Sequence, residues 1–196
     1  MAGPNAGEIR VAGSGRILIA PVGTAAPADT VTAWGANWLD LGYTSTAGVK
    51  LTKKDKIDPV HSWQSASAAR LIFAERDLKV HFQMIQINGE TLPFFLGGDP
   101  LIQGMSTATP PVPTGIYQYN LPTIPGANEK ALGIEFTDGA AITYRIVIPR
   151  GQVTDTEDMT LTRTAAISLG VTYTALATND ANPLATFLMG DKGLGD

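Results

Sequence analysis

Strict alternation of side chains between residues 141 and 177 is the feature that most limits how this chain can fold. A period of two places alternate side chains on opposite faces of a β-sheet. The pattern predicts three consecutive strands, over 142–148, 153–164 and 167–175. The apolar and β-branched residues at every second position are Ile142, Tyr144, Ile146 and Ile148 in the first run and Ile167, Leu169, Val171, Tyr173 and Ala175 in the last.

The links between these runs are short. Pro149, Arg150 and Gly151 are expected to end the first run, and only a few residues separate the second from the third. Parallel strands need a crossover of a dozen or more residues, whereas antiparallel strands can be joined by a tight turn. The sequence therefore predicts antiparallel pairing.

Length, charge and cysteine content exclude several classes of protein. The chain has 196 residues, which fits a single domain at roughly one domain per 150 residues. It has no cysteine, so disulfides, thiolate metal sites and cysteine nucleophiles are excluded. A formal net charge of -4 argues against a protein that grips nucleic acid through a basic surface. No apolar run reaches the length of about 18 residues that a membrane span needs.

We predict one β-domain with an arm at each end. Residues 1–15 are small, polar and glycine-rich, as in a flexible or partner-ordered N-terminal arm. The domain spans 16–189, and 190–196 form a polar C-terminal tail. About ten short strands indicate an all-β sandwich or barrel of two packed, mostly antiparallel sheets. The further strands are expected at 16–22, 38–43, 71–87, 116–121, 132–136 and 184–189, with a surface loop at 99–113.

One short flanking α-helix is expected at about 89–96. Asn88 precedes it as an N-cap, and Gly97 follows it as a stop signal. Pro93 falls inside the segment, which a helix tolerates only near its first turn. The helix is amphipathic enough to lie on a sheet face.

A protruding hairpin or loop is predicted at about 49–62. Its outer parts alternate like strands, and its middle is dense in charge. Proline cannot donate to a strand ladder, so Pro59 restricts its strand to an edge or a bulge. The charged run is either a solvated tip or a subunit contact in which mixed charges set the register between identical neighbours. Its members are Lys53, Lys54, Asp55, Lys56 and Asp58, with Pro59 at the far side.

Few groups are available for catalysis or metal binding. The two histidines, His61 and His81, lie in strand patterns, and no HExxH or comparable ligand spacing is present. No GxSxG motif exposes a serine nucleophile. We therefore predict no catalytic residue, no metal and no cofactor.

Two sets of residues have a structural and a functional interpretation. Asp155 and Glu157 lie two apart beside Asp158, a spacing that could serve a glycosidase, although such a run is more often a solvated strand face. Trp34 and Trp38 are interpreted as core or interface anchors, with a sugar-stacking platform as the alternative.

Several stretches in a fixed order carry a family resemblance. The first is GRILIAPVGTAAP at 15–27, followed by WLDLGY at 38–43. HSWQSA at 61–66 then leads into a long strand and a short helix that ends with FFLGG at 94–98. Together they resemble the major tail proteins, or tail tube subunits, of long non-contractile-tailed bacteriophages, particularly those of actinobacterial hosts.

The resemblance implies a structural virion protein, assembled in the host cytoplasm. Six copies would join their sheets edge to edge into a ring, and the rings would stack into a hollow tail tube. Closure would cover strand edges that otherwise promote aggregation, and a repeating heterologous contact generates rings and filaments. The implied partners are further copies of the chain, the tape-measure protein, the tail terminator and distal tail proteins, and double-stranded DNA in transit without specific binding. No membrane partner is implied.

The resemblance also assigns roles to segments. A hairpin or loop and the terminal arms bridge neighbouring rings in the family, which here implies contacts from 49–60, from 1–15 and from the tail after 184. The subunit-contact candidates are Lys53, Lys54, Asp55, Lys56, Asp58 and Pro59. For the lumen wall we choose the threonine-rich face of 154–164, with Asp155, Glu157 and Asp158 close by, because an acidic wall lets a polyanion slide without binding. The lumen candidates are Asp155, Glu157, Asp158 and Thr160.

Three other functions remain open at this point. A capsid decoration protein would form trimers on a shell. A carbohydrate-binding β-sandwich would use Trp34, Trp38 or Trp63 as a stacking platform and remain monomeric. A hydrolase would need a cleft and turnover that is lost in Asp155→Ala or Glu157→Ala.

Overall fold

The computed structural model describes residues 3–139, 142–179 and 181–191. In this part of the chain it contains ten β-strands, one α-helix and a short 3-10 helix at Ala6–Glu8. The predicted all-β fold with a single short α-helix is confirmed. The strands are β1 (Ser14–Pro21), β2 (Leu39–Asp40), β3 (Thr44–Ser62), β4 (Ser65–Met84), β5 (Ile102–Met105), β6 (Pro113–Gln118), β7 (Lys130–Asp138), β8 (Ile142–Thr156), β9 (Leu169–Ala175) and β10 (Thr186–Met189), and the helix α1 is Thr91–Leu96.

The strands form two antiparallel sheets. The larger sheet has eight strands in the order β2-β1-β7-β8-β9-β4-β3, with β10 paired to β8. The smaller sheet is the pair β5-β6. The predicted antiparallel pairing is confirmed for every described pair. Consecutive strands form the pairs β3-β4, β7-β8 and β8-β9, whereas β1-β7 and β4-β9 join strands that are far apart in the chain.

The large sheet curls around one apolar core. Ile17 and Ile19 on β1 belong to the same buried cluster as Val80 and Phe82 on β4, although β1 and β4 lie near opposite ends of the strand order. Helix α1 adds Phe94 to this cluster, whose ring stacks on Phe82 with centroids 6.2 Å apart. Strands β1, β4, β7, β8 and β9 thus contribute buried side chains to this core, and the helix packs against it.

A loop covers the outer face of the sheet near β1. Leu18 and Ala20 point away from the main core and pack with Trp38 in a second buried cluster. Trp34 meets Trp38 edge-on, with ring centroids 4.7 Å apart. The loop that carries both tryptophans is therefore part of the folded body.

Helix α1 shows both predicted end signals, but it begins at Thr91, later than the expected start at about 89, with Glu90 in the N-cap position. The Asn88 side-chain oxygen accepts hydrogen bonds from the backbone N–H groups of Glu90 and Thr91, both at 2.9 Å. Gly97 ends the helix in a left-handed conformation with φ of 68°, which glycine adopts without steric cost. Pro93 lies in the first turn, where its missing N–H costs little.

The prediction that Pro149, Arg150 and Gly151 end a strand is wrong, because β8 runs through them. Leu132 pairs with Ile148, and the next pair is Lys130 with Gly151, so a register shift brackets the proline. Pro149 is tolerated within β8 because the strand pairing is irregular there and needs no backbone hydrogen bond from the proline nitrogen. The proline also lies between the part of β8 that pairs with β10, up to Val147, and the part that pairs with β9, from Gly151 onwards.

The predicted strand over 153–164 extends only to Thr156. Thr156 pairs with Val171 near the start of β9, and residues 157–168 form an irregular, largely exposed connection. Met159 and Leu161 are 40% and 72% exposed. The alternation in this segment had no apolar face that the core could bury, so it did not produce a strand.

Two further segments differ from prediction. Residues 99–113 were expected to form a surface loop, but they contain β5, which pairs with β6. The strand expected at 71–87 begins earlier, at Ser65, because pairing with β3 supplies backbone hydrogen bonds without burial.

Candidate assembly surface

Strands β3 and β4 form a hairpin that projects beyond the folded body. The two strands pair from Thr44–Met84 out to Ser62–Ser65, whereas β9 pairs with β4 only over Lys79–Met84. Residues 55–76, which we call the distal hairpin, therefore consist of two strands with no third neighbour in the large sheet. At about 3.3 Å per residue this projection is roughly 25 Å long.

The core-facing side of the hairpin stays apolar beyond the body. Cross-strand partners share a sheet face. The register shift between Lys56 and Ile57 adds one residue to β4, so the pairs Ile57–Phe73 and Pro59–Leu71 continue the face that carries Phe82. We call Ile57, Pro59, Leu71 and Phe73 the distal apolar face. Phe73 is 68% exposed and Leu71 is 54% exposed. The described chain leaves this face uncovered.

The tip of the hairpin is aromatic. Trp63 lies in the two-residue turn between β3 and β4 and is 98% exposed. The charged run, for which a solvated tip and a subunit contact were the two interpretations, lies within β3 and not at the tip. Strand β3 is also the edge of the large sheet, a position compatible with Pro59.

Part of the charged run forms an ion cluster between the body and the distal apolar face. Asp55 accepts hydrogen bonds from Arg76 Nε at 2.9 Å and from Arg76 Nη2 at 3.3 Å, and it also pairs with Lys53. The Arg76 guanidinium, followed by Lys53, lowers the pKa of Asp55 to about 2. Asp55 therefore remains charged over the whole physiological range.

The other members of the run lie on the opposite face of the hairpin. Lys56 pairs with Glu75 at 3.2 Å, Lys54 lies opposite Asp77, and Asp58 lies opposite Ile72. The structure thus divides the six predicted contact residues between two faces: Lys53, Asp55 and Pro59 lie on one, and Lys54, Lys56 and Asp58 on the other.

The lumen candidates lie at the end of β8 and in the segment that follows. Asp155 pairs with Thr172 of β9. The Glu157 carboxylate accepts a hydrogen bond from Gln83 Nε2 at 2.6 Å and lies 3.3 Å from His81 Nε2. Glu157 is thereby held on the polar outer face of the large sheet. Asp158 and Thr160 are exposed in the segment after β8.

Two of the three tryptophans have structural roles. The Trp38 indole N–H donates to the Ala25 carbonyl at 3.0 Å, and that of Trp34 donates to Glu135 at 2.9 Å. Trp38 is buried and Trp34 is half-buried, and the Arg145 guanidinium lies over the Trp34 ring, 5.2 Å from its centroid. The anchoring interpretation fits these two residues.

A buried ion pair fastens the tryptophan loop and was not foreseen from the sequence. Arg145 is 4% exposed, pairs with Glu135 at 2.6 Å, and donates to the carbonyls of Asp29 and Thr32 at 2.8 and 2.7 Å. Burial opposes ionisation of Glu135, but hydrogen bonds from Trp34 and two arginines outweigh it and lower the pKa of that carboxyl. A lone arginine in an alternating strand carries no sequence signal for this role.

The described residues give little support to a catalytic or metal centre. Within ranges 3–139, 142–179 and 181–191, no group of three histidine, aspartate or glutamate side chains could hold a metal ion. Among the described helices, none is long and apolar enough to cross a membrane. The conspicuous surface is therefore the projecting hairpin with its long open edge.

Comparison with protein families decides the class of protein. The model of the phage tail tube protein family matches residues 2–195. The chain belongs to the phage tail tube protein family. None of the curated proteins matches it. The resemblance found in the sequence is confirmed, and the chain is a structural component of a phage tail, in a family that self-assembles into a tube and is not an enzyme class.

Proposed function

We propose that this tail tube protein closes into rings of six subunits and that the rings stack into a hollow tube. The observation that supports ring closure is the open edge of β3, a 19-residue strand at the end of the large sheet. A long strand with an unpaired edge is a template for pairing with another chain. A heterologous contact that closes by rotation produces a ring. The six-fold number is what the resemblance to major tail proteins implies.

The tube encloses the tape-measure protein during assembly and later conducts double-stranded DNA into the host. Asp155, Glu157, Asp158 and Thr160 line its lumen in this proposal. Their exposure and the net charge of -4 support it, because an acidic wall repels a polyanion and lets it slide. Assembly takes place in the host cytoplasm.

Contacts between subunits and rings involve Lys53, Lys54, Asp55, Lys56, Asp58 and Pro59, together with the terminal arms. Their support is the position of all six on the projecting β3 strand. A repeating heterologous contact also leaves an unpaired surface at each end of a tube. The tail terminator and distal tail proteins cover these two ends.

Negative-stain electron microscopy of the purified protein, with light scattering for mass, tests the proposal. We expect hollow rings or tubes whose end views average with six-fold symmetry. A stable trimer would instead indicate a capsid decoration protein. A monomer that binds glycans, with binding lost in Trp63→Ala, would indicate a carbohydrate-binding module.

A further inference from the structure

Residues 100–128 form a second projection, which we call the flap. Positions 100–128 contain no Asp, Glu, Lys, Arg or His. Its strands β5 and β6 pair only with each other among the described strands. At its base Asn128 donates to the Gly98 carbonyl at 3.2 Å, and the Tyr119 hydroxyl is buried.

The flap is an ordered hairpin, which hydrogen bonds within the flap stabilise. The Ser106 N–H donates to the Val112 carbonyl at 2.8 Å, and the Thr114 hydroxyl donates to the Gly104 carbonyl at 2.9 Å. These bonds fix the geometry of the side chains that the flap presents.

The flap presents apolar side chains to solvent. Ile102 pairs with Gln118, and Ile116 lies two residues before Gln118, so both isoleucines share one face. Ile102 is 55% exposed and Ile116 is 69% exposed. Tyr117, on the other face, is 60% exposed. Grouped apolar exposure of this kind marks an interaction site.

We propose that the flap of one subunit binds the distal apolar face of the hairpin on a neighbouring copy of the chain. The inference rests on the proposed function for the presence of neighbouring copies and adds which surfaces meet. In an open or ring assembly, each contact joins two different patches of the same molecule. The two different patches are the distal apolar face, which belongs to the large sheet, and the exposed apolar face of the flap, which belongs to the small sheet.

Charge favours this pairing over other occupants of either surface. On the same side as the distal apolar face, Asp55 is paired with Arg76 and with Lys53, whereas Lys56 and Glu75 lie on the opposite face of the hairpin. Covering the Asp55 pairs with an uncharged flap therefore leaves no ion without its partner, which is the costly outcome when charges are buried. The flap also lacks the lysine and arginine that contact nucleic acid phosphates.

The lumen contents are a poorer occupant of the flap. The lumen wall must release the tape-measure protein and DNA, so its surface must bind neither of them strongly. Exposed isoleucines favour association with other apolar surfaces and are unsuited to such a wall. Isoleucines buried between subunits contribute to tube stability instead, at about 25 cal/mol per Å² of apolar area removed from water.

The absence of cysteine from the natural chain permits a direct test. Two single variants, Phe73→Cys and Ile116→Cys, are assembled separately and as a mixture, and the tubes are treated with a short bis-maleimide crosslinker. We expect a crosslinked dimer in the mixture and none in either variant alone. The double variant Phe73→Cys/Ile116→Cys should give a ladder of multimers. The control mixture replaces Ile116→Cys with Val31→Cys, an 89% exposed position on the body.

Each outcome supports or overturns the inference. Tubes without a dimer in the mixture, or with a dimer equal to that of the Val31→Cys control, overturn it while leaving the proposed function intact. A dimer from Phe73→Cys alone shows a contact between like surfaces and also overturns it. Absence of rings and tubes from the unaltered protein overturns both. A second pair, Ile57→Cys with Ile102→Cys, replaces the first if either first variant fails to fold or assemble.

Discussion

The two halves of strand β4 show how one face of a hairpin can serve two purposes. Phe82 lies in the inner half and is fully buried, whereas Phe73 lies on the same face of the outer half and is 68% exposed. Both are phenylalanines in a strand paired with β3. They differ in what lies across from them, because β1, β7 and α1 face Phe82 and no described element covers Phe73.

Residues like Phe82 stabilise the fold of one subunit, whereas residues like Phe73 are available for contacts between subunits. Burial of a side chain within one chain contributes to its free energy of unfolding. The same side chain left exposed on a projection contributes only when another molecule covers it. One face of the outer half of the hairpin therefore carries apolar side chains typical of a core, but no described element of the same subunit covers them.

Truncating the two phenylalanines should give the largest contrast. Phe82→Ala leaves a cavity in the packed interior and should lower the free energy of unfolding by about 3–5 kcal/mol. Phe73→Ala should change it by less than about 0.5 kcal/mol, as at other exposed sites, yet raise the protein concentration at which tubes form. Denaturant unfolding and electron microscopy measure the two effects. Equal losses of stability would show that the distal hairpin packs within its own subunit.

A smaller effect is expected where the body is packed on its outer face. A Cβ atom on Gly133 would lie 2.6 Å from the Trp34 ring and 3.1 Å from the Trp38 ring. Gly133→Ala should therefore cost about 1–3 kcal/mol through overpacking, measured by denaturant unfolding. The matched control is Gly35→Ala, because a Cβ there would meet nothing within 4 Å. Similar stability of the two variants would contradict the tight seating of the tryptophan loop.

The smallest effect concerns the ion cluster at the boundary between the two halves. The pKa of Asp55 in the folded protein is about 2, below the value of about 3.9 for an unfolded chain. Its contribution to stability is therefore complete above about pH 4 and is lost as the pH falls towards 2. Titration of the Asp55 carboxyl by NMR should show this value, and Arg76→Gln should raise it. If the pKa of Asp55 is unchanged in Arg76→Gln, Arg76 is not the main cause of the low pKa of Asp55.

How far the fold could be predicted depended on whether the signal was local. Asn88 and Gly97 marked the helix ends because capping involves only neighbouring residues. Pro149 misled because its tolerance depended on a register shift in the pairing with β7, which the residue pattern of β8 itself does not show. The ion pair between Glu135 and Arg145 was missed for the same reason, since only strand pairing brings them together.

The amino-acid sequence by itself determined the alternating strands, the antiparallel all-β class, the short capped helix and the family resemblance. These properties follow from backbone preferences and from the period of apolar side chains along a few residues. Tertiary structure alone decided that β3 and β4 extend beyond the body, that residues 157–168 leave the sheet, and that the flap stands apart on its own strand pair. A side chain is buried or exposed according to what lies across from it, and that neighbour comes from distant parts of the chain or from another copy of it.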